Sequence, residues 1–168
     1  VSDADFESAK KIKSIDPGKT VVIKNGIDLI RFTNKEKNFE LMNKYSLKND
    51  DLIIGNISRF DFQKNQRFII SNAKYILGKY PEVKILLAGD GKHFDECRKM
   101  ADETGFKDRF IFTGEINKPE NYYNLFDIFI FPTLWEGLSI SLIESMSSGN
   151  CILASKIPAN TELIKNEM

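Results

Sequence analysis

The sequence predicts an α/β fold in which a Rossmann-like parallel sheet carries helices on both faces. Short apolar runs rich in β-branched residues alternate with longer segments of helical period, a pattern typical of repeated βα units. Several runs end directly in polar or glycine-rich turns, as parallel strands do at the carboxyl edge of a sheet. With 168 residues, 42% hydrophobic and 29% charged, the chain can form one domain with its own core.

Six short apolar runs are predicted strands, and the segments between them have helical period. The strands cover residues 20–24, 52–58, 83–88, 110–112, 128–131 and 151–154. The clearest helix, 66–80, places Phe68, Ile69, Ala73, Ile76 and Leu77 on one face. Further helices are predicted at 35–45, 93–103, 122–126 and 139–148.

The charge balance excludes a general electrostatic attraction to nucleic acid or to an acidic membrane. Lys plus Arg number 24 and Asp plus Glu number 24, so any anion site has to be local. The longest apolar runs, such as 85–88 and 128–132, are far shorter than the roughly 20 residues that span a bilayer. No signal peptide or lipidation motif is visible, although the chain begins at Val1 and a targeting segment could precede it.

The two cysteines, Cys97 and Cys151, are far apart and have no partner at metal-ligand spacing. We interpret both as reduced structural thiols, which agrees with a cytoplasmic protein.

The strongest local signal is the segment 136–144, in which Glu136 and Glu144 bracket a loop and the start of a helix. Gly137 allows the backbone to approach a ligand closely. The amides of residues 138–140, which follow it, are free donors at a helix N-terminus, where the macrodipole also favours an anion. The pattern therefore indicates a phosphate site with a carboxylate on either side. The alternative is a first-turn glutamate and an unrelated helix glutamate.

A second signal is the pair of cations Arg59 and Lys64, between the strand that ends near Ser58 and the helix that begins near Asn65. Positive charge at a helix N-terminus opposes the helix dipole, so the arrangement is reasonable if a diphosphate lies between the two cations. Arg would grip phosphate oxygens with its planar fork, and Lys would supply a mobile charge. The alternative is two solvated surface charges.

The turn Gly89-Asp90-Gly91 is a weaker signal. A dinucleotide-binding fingerprint would need glycine where Phe94 stands, so a tight strand-to-helix turn is the better interpretation. His93, in the following helix, is interpreted as a surface residue rather than a catalytic base. The turn Asn25-Gly26 suggests left-handed backbone positions, without a deducible function.

Six motifs follow one another along nearly the whole chain. They are 22–28 (Val-Ile-Lys-Asn-Gly-Ile-Asp), 55–59 (Gly-Asn-Ile-Ser-Arg) with Lys64 and Asn65, 87–91 (Leu-Ala-Gly-Asp-Gly), 112–114 (Phe-Thr-Gly), Phe131-Pro132, and 136–144 from Glu136-Gly-Leu to Glu144. In order and spacing they resemble the GT-B-fold retaining glycosyltransferases of family 4. The segments 136–144 and 155–158 resemble most the bacterial enzymes that build capsular or exopolysaccharide.

The resemblance implies a role for each matching position. It implies that Arg59 and Lys64 contact the donor diphosphate, that the backbone of Gly137, Leu138 and Ser139 also receives phosphate, and that Glu136 faces the transferred sugar. It implies further that Glu144 accepts hydrogen bonds from ribose hydroxyls. The base-proximal segment would be Thr113, Gly114, Glu115 and Ile116.

This sequence departs from the family pattern at two positions and in the lack of one whole domain. Asn56 stands where many members have a small or apolar residue, so the loop before Arg59 can differ, and Thr133 replaces a common Ser. The family's N-terminal domain, with the acceptor site, is not in this sequence. We therefore expect residues 1–18 to be the end of that domain or an interdomain segment, and 19–168 to be the nucleotide-sugar-binding domain, truncated at its C-terminus.

The expectation from sequence is the donor-binding domain of a retaining, metal-independent glycosyltransferase that uses a nucleoside-diphosphate sugar, most simply a UDP-linked one, and needs no cofactor. The acceptor would be a glycan or a lipid-linked glycan, and the full enzyme would be cytoplasmic or peripheral at the inner face of the plasma membrane. The alternatives are a nucleotide-sugar epimerase or a non-catalytic binding module of the same fold. A glycoside hydrolase with Glu136 and Glu144 as its carboxylate pair is a third, against which Arg59 and Lys64 argue.

Overall fold

The sheet of this protein has five parallel strands in the order β3-β2-β1-β4-β5. The structure is a computed structural model, and it describes residues 2–12, 15–33 and 36–164. The strands are β1 (Leu52–Ile57), β2 (Val83–Ala88), β3 (Phe110–Phe112), β4 (Ile128–Phe131) and β5 (Cys151–Ala154). Five of the six predicted strands are therefore confirmed, and the parallel sheet is as predicted.

Eight α-helices lie within the described residues, and both faces of the sheet are covered. In chain order they are α1 (Asp3–Lys11), α2 (Leu29–Thr33), α3 (Phe39–Lys44), α4 (Gln66–Leu77), α5 (Phe94–Asp102), α6 (Glu120–Tyr123), α7 (Ile140–Ser147) and α8 (Pro158–Leu163). Short 3₁₀ turns occur at Pro17–Lys19, Phe62–Lys64 and Lys107–Arg109.

Two separate cores form because successive strand residues point to opposite faces of the sheet. Ile53 and Ile57 of β1 pack in one core with residues of α2, α3, α6 and α7, whereas Ile54 packs in the other with residues of α4 and α5. The same alternation separates Leu86 from Leu87 in β2. Strands buried on both faces explain why the sequence showed continuous apolar runs rather than alternation.

The predicted strand at 20–24 is wrong, because residues 20–28 form neither strand nor helix. The β-branched run is apolar, but Val21 and Ile23 are 78% and 76% exposed. A strand requires a hydrogen-bonded neighbour, and the segment joins no edge of the five-stranded sheet.

The helices differ from prediction mainly at their ends. Helix α4 ends at Leu77, with Gly78 as its C-cap, three residues before the predicted end at 80, and Phe68 lies outside its buried stripe at 50% exposure. Helix α3 begins at Phe39, where the Asn38 side chain caps it by accepting from the Leu41 amide at 3.0 Å. The predicted start at Lys35 lies outside the described residues. Helices α1, α2 and α8 were not predicted.

Helix α1 contacts the other end of the chain. Its first residue, Asp3, accepts a hydrogen bond from Lys24 Nζ at 2.8 Å, and Lys24 also lies 2.6 Å from Glu162 in α8. The proposed division between residues 18 and 19 stays a prediction.

Candidate functional site

The candidate site lies at the carboxyl edge of the sheet, between β1 and β4. The chain passes from β1 to β2 and β3 on one side and returns to β4 and β5 on the other, so the loops after β1 and β4 diverge at this point. Ligands of open α/β sheets bind in such a crevice. The two loops are held together: the Leu134 amide donates to the Gln63 carbonyl at 2.8 Å, and Gln63 Nε2 donates to the Trp135 carbonyl at 2.7 Å.

Lys64 and Glu136 form an ion pair across this crevice. Lys64 Nζ lies 2.5 Å from Glu136 Oε1, and the two side chains are only 16% and 7% exposed. The hydroxyl of Thr133 lies 2.8 Å from the same carboxylate oxygen, and Lys64 Nζ lies 5.3 Å from the centroid of the Phe131 ring. The two residues predicted to contact diphosphate and sugar are therefore brought into contact with each other.

Arg59 has a different environment from Lys64, although the two share the loop between β1 and α4. Its side chain is 68% exposed, and Nε lies 3.6 Å from Asp61. Arg59 lines an open groove of about 690 Å³ together with Asp90, Glu115 and Ile116. A largely exposed guanidinium at the rim of a groove can reach an anionic ligand without first breaking a buried contact.

Two members of the base-proximal segment line the same groove, and the other two anchor the segment. Glu115 and Ile116 are at the groove, whereas Gly114 accepts a hydrogen bond from the Gly89 amide at 2.9 Å. The Thr113 amide donates to the Leu87 carbonyl at 3.2 Å. The structure thus places the end of β3 next to the turn after β2, on the side of the crevice that carries Arg59.

The turn Gly89-Asp90-Gly91 packs directly against the backbone of the loop that carries Arg59. Gly89 and Gly91 have φ of +124° and +152°, and a Cβ on either would overlap the carbonyl oxygen of Ser58 or of Phe60. The Phe60 amide donates to the Asp90 carbonyl at 2.9 Å. The predicted tight turn is confirmed, and its glycines permit a close approach of two backbones.

The segment 137–139 leads into helix α7, as predicted. Ser139 is the N-cap, and its hydroxyl oxygen accepts from the Leu142 amide at 3.4 Å. Within the described part of the chain, the amides of Gly137, Leu138 and Ser139 have no acceptor. The Leu138 carbonyl accepts from Asn25 Nδ2 at 3.1 Å, which holds the loop. These amides and the helix dipole are suited to an anion.

Glu144, on α7, contacts Tyr123 of α6. The Tyr123 hydroxyl lies 3.0 Å from Glu144 Oε2, and the tyrosine is completely buried. Burial raises the pKa of Glu144 above its usual value, although the Tyr123 hydroxyl and the charge of Arg31 act in the opposite direction. Glu136 and Glu144 therefore have different partners and different surroundings.

Three residues at the site were not singled out by sequence as functional. Asn25, whose turn had no assigned role, holds the Leu138 carbonyl. Thr133, noted only as a replacement for a common Ser, contacts Glu136, and Tyr123 contacts Glu144. Tyr123 gave no signal, because in an apolar segment it reads as an ordinary core residue.

The cysteines and His93 have the environments that follow from their positions. Cys97 is buried, and burial raises the pKa of its thiol to about 11. Cys151 is exposed, contrary to the interpretation as a structural thiol, because its apolar run forms the edge strand β5. His93 Nδ1 lies 2.8 Å from Glu96 in an i,i+3 contact on the helix surface.

In residues 2–12, 15–33 and 36–164, no helix is both long and apolar enough to cross a membrane. Over the same ranges, no group of three or more His, Cys, Asp or Glu side chains is arranged to hold a metal ion.

Comparisons with known proteins show the family of the chain and its fold. Residues 37–168 match the family of glycosyl transferases group 1. The UDP-Gal:alpha-D-GlcNAc-diphosphoundecaprenol alpha-1,3-galactosyltransferase of Escherichia coli is 30% identical over 167 residues, which are 97% of this chain and 43% of that enzyme. The capsular polysaccharide biosynthesis glycosyltransferase CapH of Staphylococcus aureus is 28% identical over 153 residues, 88% of this chain and 39% of CapH.

A solved structure with the same fold is that of Anabaena Alr3699/HepE in complex with UDP-glucose. It matches 98% of this chain and 46% of its own chain with a TM-score of 0.83 and 21% sequence identity. The likeness confirms the predicted fold, a Rossmann-like domain of GT-B type. This chain spans less than half the length of each of the three proteins.

Proposed function

Because the chain belongs to the family of glycosyl transferases group 1, we propose that it is the donor-binding domain of a retaining, metal-independent glycosyltransferase that uses a nucleoside-diphosphate sugar, with UDP as the nucleotide. The observation that carries the proposal is the convergence of Lys64, Glu136 and the unpartnered amides of 137–139 at one crevice, with Arg59 at its rim. No cofactor takes part, and the donor is the only nucleotide ligand.

The diphosphate would bind between the Arg59 side and the start of α7. Glu136 balances the charge of Lys64, but the ammonium has three protons and can still donate to phosphate, beside Arg59 and the amides of Gly137, Leu138 and Ser139. Charge-assisted hydrogen bonds from Arg59 and Lys64 would stabilise the charge that develops on the leaving diphosphate. On this proposal, the catalytic residues in this chain are Arg59, Lys64 and Glu136.

Glu136 would face the transferred sugar. A carboxylate beside a phosphate is repulsive unless its charge is balanced, and Lys64 supplies that balance at 2.5 Å. The second carboxylate oxygen could then accept hydrogen bonds from sugar hydroxyls. In a front-face reaction, the bond between the anomeric carbon and the diphosphate oxygen breaks, and the bond to the acceptor oxygen forms on the same face. The acceptor proton passes to the departing diphosphate.

The nucleoside would extend along the two flanks of the crevice. We assign the ribose hydroxyls to Glu144 and the base to the groove beside Glu115 and Ile116. Thr113 and Gly114 would act by anchoring that segment, since their backbones are bound to β2 and to the turn after it.

The acceptor would be bound by a second domain. This chain spans 43% of the Escherichia coli galactosyltransferase, whose name specifies a diphosphoundecaprenol-linked sugar as acceptor. Together with the similarity to CapH, this supports transfer of a hexose or N-acetylhexosamine to a glycan or a lipid-linked glycan in capsular or exopolysaccharide synthesis. Such an enzyme would work in the cytoplasm, or peripherally at the inner face of the plasma membrane.

Isothermal titration calorimetry of the chain with UDP, GDP, ADP and uridine tests the proposal. We expect one nucleoside diphosphate, UDP, to bind more tightly than the others and than uridine, with the same affinity with and without Mg²⁺ at constant ionic strength. Equal affinity for UDP and uridine, or binding that requires Mg²⁺, would contradict it.

A further inference from the structure

Three buried polar side chains form a continuous hydrogen-bond chain from β4 to the backbone of Arg59. Asn56 Nδ2 donates to the Ile130 carbonyl at 2.7 Å, and the Ser58 hydroxyl donates to Asn56 Oδ1 at 2.7 Å. Gln66 Nε2 donates to Ser58 Oγ at 2.8 Å and to the Arg59 carbonyl at 3.0 Å. The exposed fractions of Asn56, Ser58 and Gln66 are 0%, 8% and 1%.

The donors and acceptors of this hydrogen-bond chain have only one consistent arrangement. The single hydroxyl proton of Ser58 is used on Asn56, so Ser58 accepts from Gln66 through a lone pair. The amide of Gln66 has two protons, which are directed to Ser58 and to the Arg59 carbonyl. A side chain without an amide donor at position 66 would leave the buried Ser58 hydroxyl and the partly buried Arg59 carbonyl without this partner.

The hydrogen-bond chain of Asn56, Ser58 and Gln66 begins where the backbone pairing between β1 and β4 ends. The paired residues are Ile54 with Ile128 and Gly55 with Phe129. At the next position the side chain of Asn56, rather than the backbone, connects β1 to Ile130. The two strands separate at the crevice, and the polar chain joins its two sides.

Burial of polar groups is not needed for packing at this place, since apolar side chains of similar size would fill the same volume and avoid the loss of hydration. The polar side chains instead fix the orientation of the backbone that they bind, because hydrogen bonds are directional. The hydrogen-bond chain fixes the carbonyl of Arg59, while the next residue, Phe60, is fixed by its amide on the Asp90 carbonyl at 2.9 Å. The Arg59 carbonyl and the Phe60 amide belong to one peptide group, so the peptide that follows the Arg59 Cα is held at both its polar atoms, although the guanidinium is largely exposed.

We propose that Asn56, Ser58 and Gln66 are positioning residues that hold Arg59 in the orientation in which it binds the donor diphosphate. The inference rests on the proposed function of Arg59. When the backbone at Arg59 is already fixed, its exposed side chain loses less conformational entropy on binding a ligand. Because Arg59 is assigned to the diphosphate, the hydrogen-bond chain should affect only the contribution of the phosphates to the affinity. Asn56, which departs from the family pattern, would then belong to the anion site.

The test compares the affinity ratio for UDP over uridine in Gln66→Leu and in the unchanged chain by calorimetry. We expect the ratio to fall about tenfold, with the affinity for uridine unchanged. The matched control is Asp127→Ala. Asp127 also joins β4 to β1, by accepting from the Ile53 amide at 2.8 Å, but at the opposite edge of the sheet. Asp127→Ala should leave the ratio unchanged.

Ser58→Ala is the second variant if Gln66→Leu does not fold, since it deletes only the middle hydroxyl; a severalfold fall in the ratio is expected. An unchanged ratio in the folded variants, or an equal loss of affinity for UDP and uridine, would overturn the positioning role alone. If the unchanged chain itself shows no preference for UDP over uridine, the function proposed for Arg59 fails, and the positioning role fails with it.

Discussion

Lys64 Nζ contacts Glu136 Oε1 at 2.5 Å and joins the loop after β1 to the loop after β4. The two residues are 72 positions apart in the chain and are both mostly buried. The contact makes each charge dependent on the other, because a buried charge without a partner is strongly unfavourable. Stability and ligand binding should therefore respond differently to changes at this pair.

Removing one member of the pair should destabilise the protein, and removing both should restore most of the loss. We expect Lys64→Met to lower the free energy of unfolding by about 3 kcal/mol, since it leaves Glu136 buried and unpaired. The double variant Lys64→Met with Glu136→Leu should be nearly as stable as the unchanged chain but should bind UDP poorly. Urea unfolding of the two single variants and the double variant measures the coupling. Additive losses would show that the contact does not contribute.

Arg59→Ala should weaken UDP binding much more than uridine binding. A charge-assisted contact to phosphate contributes about 1.5 to 3 kcal/mol, which corresponds to a loss of about 10-fold to 150-fold in affinity for UDP. The control is Arg67→Ala, because Arg67 is an exposed arginine of α4 that pairs with Glu96 at 3.0 Å and does not line the groove. A similar loss in both variants, or an equal loss for UDP and uridine, would contradict the assignment.

The sequence was sufficient for features that depend on local pattern and insufficient for those that depend on distant neighbours. Strand β5 was predicted to the residue, whereas the run at 20–24, which is richer in β-branched residues, is not a strand. Composition does not reveal whether a neighbouring strand is available for pairing. Arg59 and Glu136 could be identified from their places after strands. The contact of Lys64 with Glu136 and the hydrogen-bond chain through Asn56 join segments about 70 residues apart, and no local pattern encodes such a distance.

Glu144→Gln should change both nucleotide selectivity and the pH dependence of stability. If Glu144 accepts hydrogen bonds from the ribose, the variant should show a smaller preference for UDP over 2′-deoxy-UDP. The preference arises because 2′-deoxy-UDP lacks one hydroxyl and leaves the Glu144 carboxylate without that hydrogen-bond partner. Calorimetry with the two nucleotides measures this. Unchanged selectivity would make Glu144 an ordinary helix residue.

The pH effect follows from the raised pKa of Glu144. Between the unfolded value near 4.5 and the higher folded value, the folded state binds more protons than the unfolded state, so stability falls as the pH rises through that window. Glu144→Gln removes this dependence. The unchanged chain should therefore lose stability relative to the variant as the pH rises above 4.5 in urea unfolding; an opposite trend would contradict the raised pKa.

Gly89→Ala should destabilise the protein more than Gly105→Ala. Both glycines have positive φ, +124° and +82°, so both variants carry backbone strain of about 1 kcal/mol or more. Only at Gly89 would the added Cβ overlap a backbone atom, the Ser58 carbonyl oxygen, whereas nothing lies within 4 Å of the site at Gly105. We expect a loss of about 3 kcal/mol for Gly89→Ala and about 1 kcal/mol for Gly105→Ala in urea unfolding. Equal losses would show that the close approach of the two loops is not required.

The 168-residue chain should bind the donor but transfer no sugar. The residues assigned to the nucleotide, the diphosphate and the sugar, from Arg59 to Glu144, are all within the chain, so recognition of the donor can be largely intact. Positioning of the acceptor cannot be intact if a second domain supplies the acceptor site, as the 43% coverage of the Escherichia coli enzyme suggests. Holding two reactants in reactive geometry contributes about 7 to 11 kcal/mol to lowering a barrier, and closure of two domains also excludes water.

Two measurements decide this prediction. Calorimetry or NMR titration should detect weak binding of UDP by the chain, and an assay with UDP-sugars and lipid-linked acceptors should detect no transfer above background. A longer form that carries an acceptor-binding domain, tested beside it with the same donor and acceptor, should transfer the sugar. Sustained turnover by the 168 residues would mean that the acceptor site and all catalytic groups lie in this chain, because chemistry at the anomeric carbon requires both substrates in one geometry. The proposal of a separate acceptor domain would then be wrong, even if UDP binds at the predicted crevice.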